Sequence, residues 1–445
     1  MQRLLALAFL MALALPASAA PPSEVLTEAA KLDHKPFELD TNATVATLRA
    51  FAGTLSGLRI HDCVAAITTG AANYRVMGTP AHDLFLQRYG NVFGNLGLAT
   101  ALQPFTKGGP GVGTTVPTGG TNILGALPGR DTSRWVVVGA HYDTRELTFG
   151  GGALDNTSGI CTVLEMARQA KAWADAGGTF EASLLFAWYD GEEWGLYGAT
   201  ALAEEPAVAR ALFQLPENGP NATVLVSESF DMPGLNYPAK NTWLQYGNTT
   251  DLDEVAVLNL RTAPIHKDQE WACWSYGCYE DLKDRPDFAA VWAQDTDYQF
   301  LVREVAYDLL GLPPAYVWVY DDHYGRSDHI PLIARGAAGM RIQGSHDEEY
   351  PHYHQPTDTL PALYELAGSK DALVAGYTTE AQVGGTVAFY TALTGGVGDY
   401  GYVFDPTLAP TPQQAPPSAP VHASLPVLLA LCAIGVALAR RTWRA

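Results

Sequence analysis

Two glutamates stand side by side, Glu192-Glu193, where the apolar run ASLLFAWY gives way to DGEEWGLYGA. Adjacent carboxylates at the mouth of a buried strand resist joint ionisation. A cation resolves the conflict if one glutamate binds it and the other faces a water that the cation activates. Four more groups of ligand type follow other apolar or glycine-rich runs. His141-Tyr142-Asp143 follows WVVVGA, Asp155 sits in GGGALDNTSG, Asp231 follows TVLVSESF, and His354 stands in HYHQPTDT. Two divalent ions bring four positive charges. Asp155, Glu193, Asp231 and a hydroxide between the ions balance them, with His141 and His354 as neutral donors. A neutral first shell suits a buried site. Imidazoles mixed with carboxylates favour zinc over magnesium or calcium, with cobalt or manganese as substitutes.

These groups meet only if the runs that precede them lie in one sheet. From Arg134 onward, short apolar runs alternate with helical stretches. Strands are expected over 135–140, 182–189, 222–229, 316–320 and 338–342. Helices are expected over 157–176 (capped by Asn156 or Thr157), 196–205, 294–310 and 372–393. The lead-in, residues 21–125, contains helical stretches such as TVATLRAFAGTL. The fold class is α/β: a three-layer sandwich with a mixed, mostly parallel central sheet covered by helices on both faces. Such sheets bind ligands at the carboxyl ends of their strands, and the candidate ligands fall there.

Taken one at a time, the motifs are weak. His141-x-Asp143 alone is a strand-end hydrogen-bonding pair, DNTSG alone a helix cap, and Asp231 alone a turn residue before Met232-Pro233-Gly234. Together, in order, they resemble the co-catalytic zinc exopeptidases related to bacterial leucyl aminopeptidases, aminopeptidase Y and glutamate carboxypeptidase. The matching segments are NILGALPG, GAHYDT, GALDNTSG, YDGEEWGLYGA, FDMPG and YHQPTDT, over about 240 residues. The resemblance implies that Asp155 bridges two metals, with His141 and Asp231 completing one site and Glu193 and His354 the other. It implies that Glu192 is the general base, that Asp143 orients His141, and that the Asp155-Asn156 peptide is cis. His352 competes with His354, but the motif frame favours His354. The segment RSDHIP resembles the part of the family that approaches the site. Asp328 or His329 would there support the substrate pocket, and Tyr324 would stabilise the oxyanion.

The remaining sequence bounds where and on what such a site acts. The chain of 445 residues has 27 basic and 47 acidic residues, a net charge of −20. Four of the basic residues, Arg3, Arg440, Arg441 and Arg444, lie in the terminal segments, so the body is more negative still. Nucleic acid is excluded as a partner by the want of basic patches. Residues 1–20 read as a secretory signal peptide. The peptidase domain spans 21–404: a lead-in (21–125), a catalytic core (126–400) and a pocket-framing insertion at about 232–350. That insertion is rich in aromatics: Trp243, Tyr246, Trp271, Trp274 and Tyr276. Residues 405–423 form a Pro-rich linker. Residues 424–445 form a hydrophobic anchor or sorting tail that would contact membrane or sorting machinery. In an oxidising compartment a local disulfide between Cys273 and Cys278 is expected, with Cys63 and Cys161 read as buried thiols.

The resulting expectation is an exported metallo-exopeptidase, periplasmic, surface-anchored or secreted. It would hydrolyse N-terminal peptide bonds with a bridging water activated by two zinc ions and Glu192 as base. Its substrates would be peptide or protein N-termini. A carboxypeptidase on the same scaffold, acting on acidic C-terminal residues, is the alternative within enzymes. A glutaminyl cyclase is disfavoured by the complete ligand set. A non-catalytic receptor-like homologue would have lost Glu192 or a ligand, and none is lost here.

Overall fold

In the computed structural model the described residues are 42–69, 73–106, 119–145, 151–216, 222–235, 258–262, 298, 301–302, 304–312, 317–321, 327–333, 337–344, 350–396 and 402–403. The lead-in supplies three helices, α1 (Asn42–Ala52), α2 (Gly57–Thr68) and α3 (Pro80–Tyr89), and two strands, β1 (Ala99–Phe105) and β2 (Gly120–Leu127). β3 (Asp131–His141) leads through a π-helical turn (Ala153–Ser158) into α4 (Gly159–Asp175). There follow β4 (Ala182–Tyr189), α5 (Tyr197–Glu204), α6 (Ala207–Leu212), β5 (Thr223–Phe230), β6 (Leu258–Thr262), β7 (Val317–Asp321), α7 (Ile330–Ile333) and β8 (Ala338–Gln343). The last elements are α8 (Leu360–Ala367), α9 (Lys370–Thr394) and β9 (Tyr402–Val403).

All the strands join one sheet in the order β1-β2-β4-β3-β5-β8-β6-β7, with β9 on β5. The central strands β4, β3, β5 and β8 are parallel, while β1, β2 and β6 pair antiparallel at the flanks. From β3 the chain moves to β4 on one side and then to β5 on the other. The switch point of the sheet therefore lies at the carboxyl end of β3, where His141 stands.

Period-two burial divides the core between the two faces. On β4, Leu184, Phe186 and Trp188 pack with α1, α2, α4 and α9, while Leu185, Ala187 and Tyr189 pack with α5 and α6. β3 divides the same way, Val136, Val138 and Ala140 against Trp135 and Val137. Every residue of β4 is buried. The 25-residue α9 starts at Ser369, whose Oγ accepts from Ala372 N, and ends at Gly395 in the left-handed conformation. It is apolar around much of its circumference because it lies between the sheet and α2.

Two details correct the sequence reading. Cys63 and Cys161 are not free thiols: they form a disulfide between α2 and α4, with Cα atoms 5.8 Å apart. The two helices pack side by side on one face of the sheet, an arrangement that cysteine spacing does not reveal. α4 begins at Gly159, later than expected, because residues 153–158 take the π-helical turn; its N-cap is Ser158, without a side-chain cap bond, and not Asn156 or Thr157, although Asn156 Oδ1 accepts from Gly159 N at 3.0 Å. In the helix expected over 294–310, residues 298 and 301–302 are helical and Glu304–Leu309 is a π-helical turn. The signal peptide, the linker, the tail, Tyr324, Cys273, Cys278 and the five aromatics of the insertion lie outside the described residues. No helix of the described residues is long and apolar enough to cross a membrane.

Candidate metal centre

The candidate side chains gather at the carboxyl ends of the parallel strands. β3 ends on His141, β4 runs through Asp190 and Gly191 to Glu192 and Glu193, and Asp231 follows β5 directly. Asp155 comes from the π-helical turn and His354 from the turn before α8. The Asp155-Asn156 peptide is cis. Among the described non-glycine residues only Leu196, Gln214, Met232 and His354 have positive φ, and two of these stand at or beside candidate ligands.

Asp155 lies at the middle. Its Oδ1 is 3.3 Å from His141 Nε2 and its Oδ2 is 3.4 Å from His354 Nε2. His141 Nε2 is also 3.5 Å from Asp231 Oδ1, and His354 Nε2 is 3.1 Å from Glu193 Oε2. Two donor groups result, His141–Asp155–Asp231 and His354–Asp155–Glu193, sharing one carboxylate. N–H···O hydrogen bonds span about 2.7–3.2 Å, and three of these four separations are longer. Donors about 2.0–2.1 Å from a tetrahedral zinc stand about 3.3 Å from one another. The spacing thus fits ligands of a shared ion better than mutual hydrogen-bond partners. Glu193 Oε1 is buried and has no hydrogen-bond partner among the described residues, as befits an oxygen left for a cation. Ligand atoms of His141, Glu192 and Asp231 also fall within 4.8 Å of one another.

The electrostatics report a surplus of carboxylate. Burial pushes His141 down, but Glu192, Asp143, Asp155 and Asp231 outweigh it and leave the imidazole raised well above its usual range. Burial likewise opposes His354, yet Glu193 and Asp155 lift it to about 10. Asp155 is held below the usual carboxylate range, because His141 and His354 outweigh its burial. Glu192 is raised well above the usual range, first by burial and then by Asp231, Glu193 and Asp328 against the opposing His141. A cluster that raises its own bases in this way is one that divalent cations would stabilise.

Buried polar groups hold the donors in place. Asp143 Oδ1 accepts from Glu192 N at 3.1 Å and Oδ2 from Glu193 N at 3.3 Å, so one carboxylate fixes the turn carrying both glutamates. His141 Nδ1 is 3.2 Å from the Asp143 carbonyl and 3.5 Å from Asp143 Oδ1. Asn156 Nδ2 donates to Phe230 O at 2.8 Å and Asn156 Oδ1 accepts from Met232 N at 3.3 Å, which ties the Asp155 turn to the residues flanking Asp231. His352 turns to Thr357 Oγ1, 2.8 Å away, and leaves the site to His354. Asp328 and His329 are fully buried, and neither Asp328 oxygen has a hydrogen-bond partner among the described residues. Burial, then Asp231 and Asp143, raise the Asp328 carboxyl well above its usual range against His141 and Arg341.

Two supporting residues had no assigned role in the sequence. Asp358 accepts from Leu154 N at 2.9 Å, Asp155 N at 3.0 Å and the Tyr350 hydroxyl at 2.7 Å, and burial leaves it raised to about 6. It belongs to the YHQPTDT segment, so the motif contained the signal without the role. Arg341 Nη2 lies 2.9 Å from Asp231 Oδ2, so Asp231 divides its oxygens between His141 and a buried guanidinium. An arginine inside the strand AGMRIQ was the signal for it, since buried charge is seldom unpaired.

Residues 122–262 match the model of Peptidase family M28. Over 92 residues the chain is 39% identical to Leucine aminopeptidase 1 of Ajellomyces capsulatus (strain NAm1 / WU24), a match covering 19% of this chain and 24% of that protein. The chain thus spans about a quarter of the length of the curated relatives it matches. Among solved structures, LapA of Legionella pneumophila is 17% identical with a TM-score of 0.50, covering 81% of this chain and 79% of LapA. LapB of the same organism is 17% identical with a TM-score of 0.50, covering 84% and 81%. At that identity the likeness speaks for the sandwich fold alone. The segment 122–262 that matches the model of Peptidase family M28 carries His141, Asp155, Glu192, Glu193 and Asp231.

Proposed function

We propose that this protein is an exported metallo-aminopeptidase that removes N-terminal residues from peptides. The observation that carries the metal reading is Asp155, whose two oxygens face two different imidazoles at 3.3 and 3.4 Å. His141, Asp155 and Asp231 would hold one zinc, and His354, Asp155 and Glu193 the other. Bound there, zinc would act as a Lewis acid on the scissile carbonyl and lower the pKa of water toward about 7.

The chain's own residues supply the rest. Glu192, half-buried among acidic neighbours, is a carboxylate of raised basicity suited to taking a proton from the attacking water. The same oxygen returns that proton to the leaving amine. Asp143 keeps Glu192 and Glu193 at fixed separation through their two amides. Glu193 is thereby available to a cation, and Glu192 to the proton. The buried Asp328 carboxylate has no hydrogen-bond partner among the described residues and feels Asp231 and Asp143, which favours a role in the substrate pocket. The Cys63–Cys161 disulfide supports export, since such bonds persist in oxidising compartments.

One observation favours a second reading, a carboxypeptidase. Arg145, 42% exposed, approaches Glu193 Oε2 at 4.0 Å, and a guanidinium at that mouth suits a carboxylate. A substrate panel separates the two: aminoacyl-anilides, N-blocked peptides and peptides with a C-terminal glutamate, each with and without chelator. Cleavage confined to free-amine substrates and abolished by chelator is the expected result. Cleavage of N-blocked peptides from the C-terminus would install the second reading, and chelator-insensitive turnover would end the metal mechanism.

A further inference from the structure

The lead-in segment Asn73–His82 contributes no candidate ligand, yet its Arg75 is fully buried beneath the metal centre. Arg75 Nε donates to Tyr142 O at 2.5 Å, in the loop that carries His141 and Asp143. Its Nη2 donates to Gly152 O at 3.2 Å and to Thr157 Oγ1 at 2.8 Å, on either side of Asp155. Its Nη1 donates back to Asn73 O at 3.1 Å, which fixes the guanidinium to its own segment. The backbone repeats the tie: Arg75 N donates to Thr144 Oγ1 at 3.2 Å and Thr144 N to Arg75 O at 3.3 Å. Room for this comes from Gly152, at φ 88°, where a Cβ would stand 3.2 Å from Nη2 and 2.6 Å from Thr144 Cγ2. A few residues on, His82 Nε2 meets Asp190 Oδ1 at 2.8 Å, where β4 gives way to the glutamate pair.

We propose that Arg75 is a positioning residue for the metal centre: its guanidinium sets the spacing between the loop of His141 and the turn of Asp155. The inference rests on the metal reading above. A guanidinium suits the task because its donors lie in one rigid plane and reach several acceptors at fixed separation; a lysine ammonium cannot. Burial lowers Arg75 to about 10, against the opposing pull of Asp143, Asp358 and Asp155, so the group stays charged at neutral pH. The lead-in is on this account part of the catalytic body and not a detachable preface to it.

The test titrates zinc into chelator-stripped full-length protein against a competing indicator, for the parent, Arg75→Lys, Arg75→Met and Thr157→Val. Groups that orient metal ligands typically account for 10–100-fold in metal affinity. We expect a loss of about 10–100-fold in both arginine variants, with lysine no better than methionine within a few-fold, and a smaller loss in Thr157→Val. Arg59→Gln is the control for a purely structural role. It breaks a pair with the buried Glu165, 3.0 Å away between α2 and α4, and should lower the thermal midpoint with zinc affinity unchanged. Arginine variants that fold and bind zinc as the parent does would overturn the inference. If they do not fold, parental affinity in Thr157→Val would overturn it. A parent that binds no zinc would instead remove the metal reading on which the inference stands.

Discussion

At the residue scale, the two glutamates of the pair face different groups. Glu193 is buried beside His354, and Glu192 faces His141 and Asp231. Glu192→Gln keeps size and backbone contacts and removes the proton acceptor. Turnover is expected to fall by about 10²–10⁴ with zinc content unchanged by elemental analysis. Equal turnover at matched zinc content would exclude Glu192 as the base. Asp155→Ala removes the carboxylate that faces both imidazoles, and zinc content is expected to collapse. Full occupancy in that variant would show that Asp155 does not bridge. Neighbouring groups limit such changes: Asp358 and Asn156 hold the Asp155 turn by hydrogen bonds independent of its side chain. The alanine variant should therefore fold.

At the element scale, β5 carries a buried acid away from the metal donors. Glu228 Oε1 accepts from the Tyr298 hydroxyl at 2.7 Å, and burial raises the Glu228 carboxyl to about 8. A carboxyl raised in the folded state favours folding most below its unfolded pKa of about 4.3, and the advantage is lost as pH rises through the folded pKa. Glu228→Gln escapes that loss. Its unfolding midpoint should gain on the parent's from about pH 4.5 to pH 8 and hold a constant difference above. A difference that stays flat across that window would show that Glu228 ionises normally. The helix boundaries belong to the same scale. The 157–176 helix was legible from its pattern, but its first turn was not, because the Asp155 region is shaped by contacts to Phe230, Asp358 and Arg75, all distant in sequence.

At the scale of the whole molecule, the described helices and strands of the lead-in pack with the elements that follow them. α1 and α2 pack with α9, β1 and β2 extend the sheet, and the Cys63–Cys161 disulfide joins residues 98 apart in the chain. Closing a loop of that length contributes roughly 4–5 kcal/mol in the chain-entropy picture, with measured values spreading lower. The double variant Cys63→Ala/Cys161→Ala should unfold at lower denaturant, by an amount corresponding to about 2–5 kcal/mol. An unchanged midpoint would mean that packing of α2 on α4 alone sets the stability there. The disulfide lies among the helices of one face, so turnover per folded molecule should survive its loss.

The sequence by itself determined the apolar runs of the central strands and the imidazole and carboxylate residue types that follow them. A buried strand needs a continuous apolar run, and a metal needs imidazole and carboxylate at its mouth; both are written locally. It also determined that Glu192 and Glu193 share one turn. Only the tertiary structure decided which distant side chains brace the His141 loop, the Asp155 turn and Asp231. Arg75, Asp358 and Arg341 act through contacts that close over tens to hundreds of residues, and neither periodicity nor local motif registers such contacts. It likewise decided that Cys63 and Cys161 pair, since the packing of α2 against α4 brings their Cα atoms to 5.8 Å.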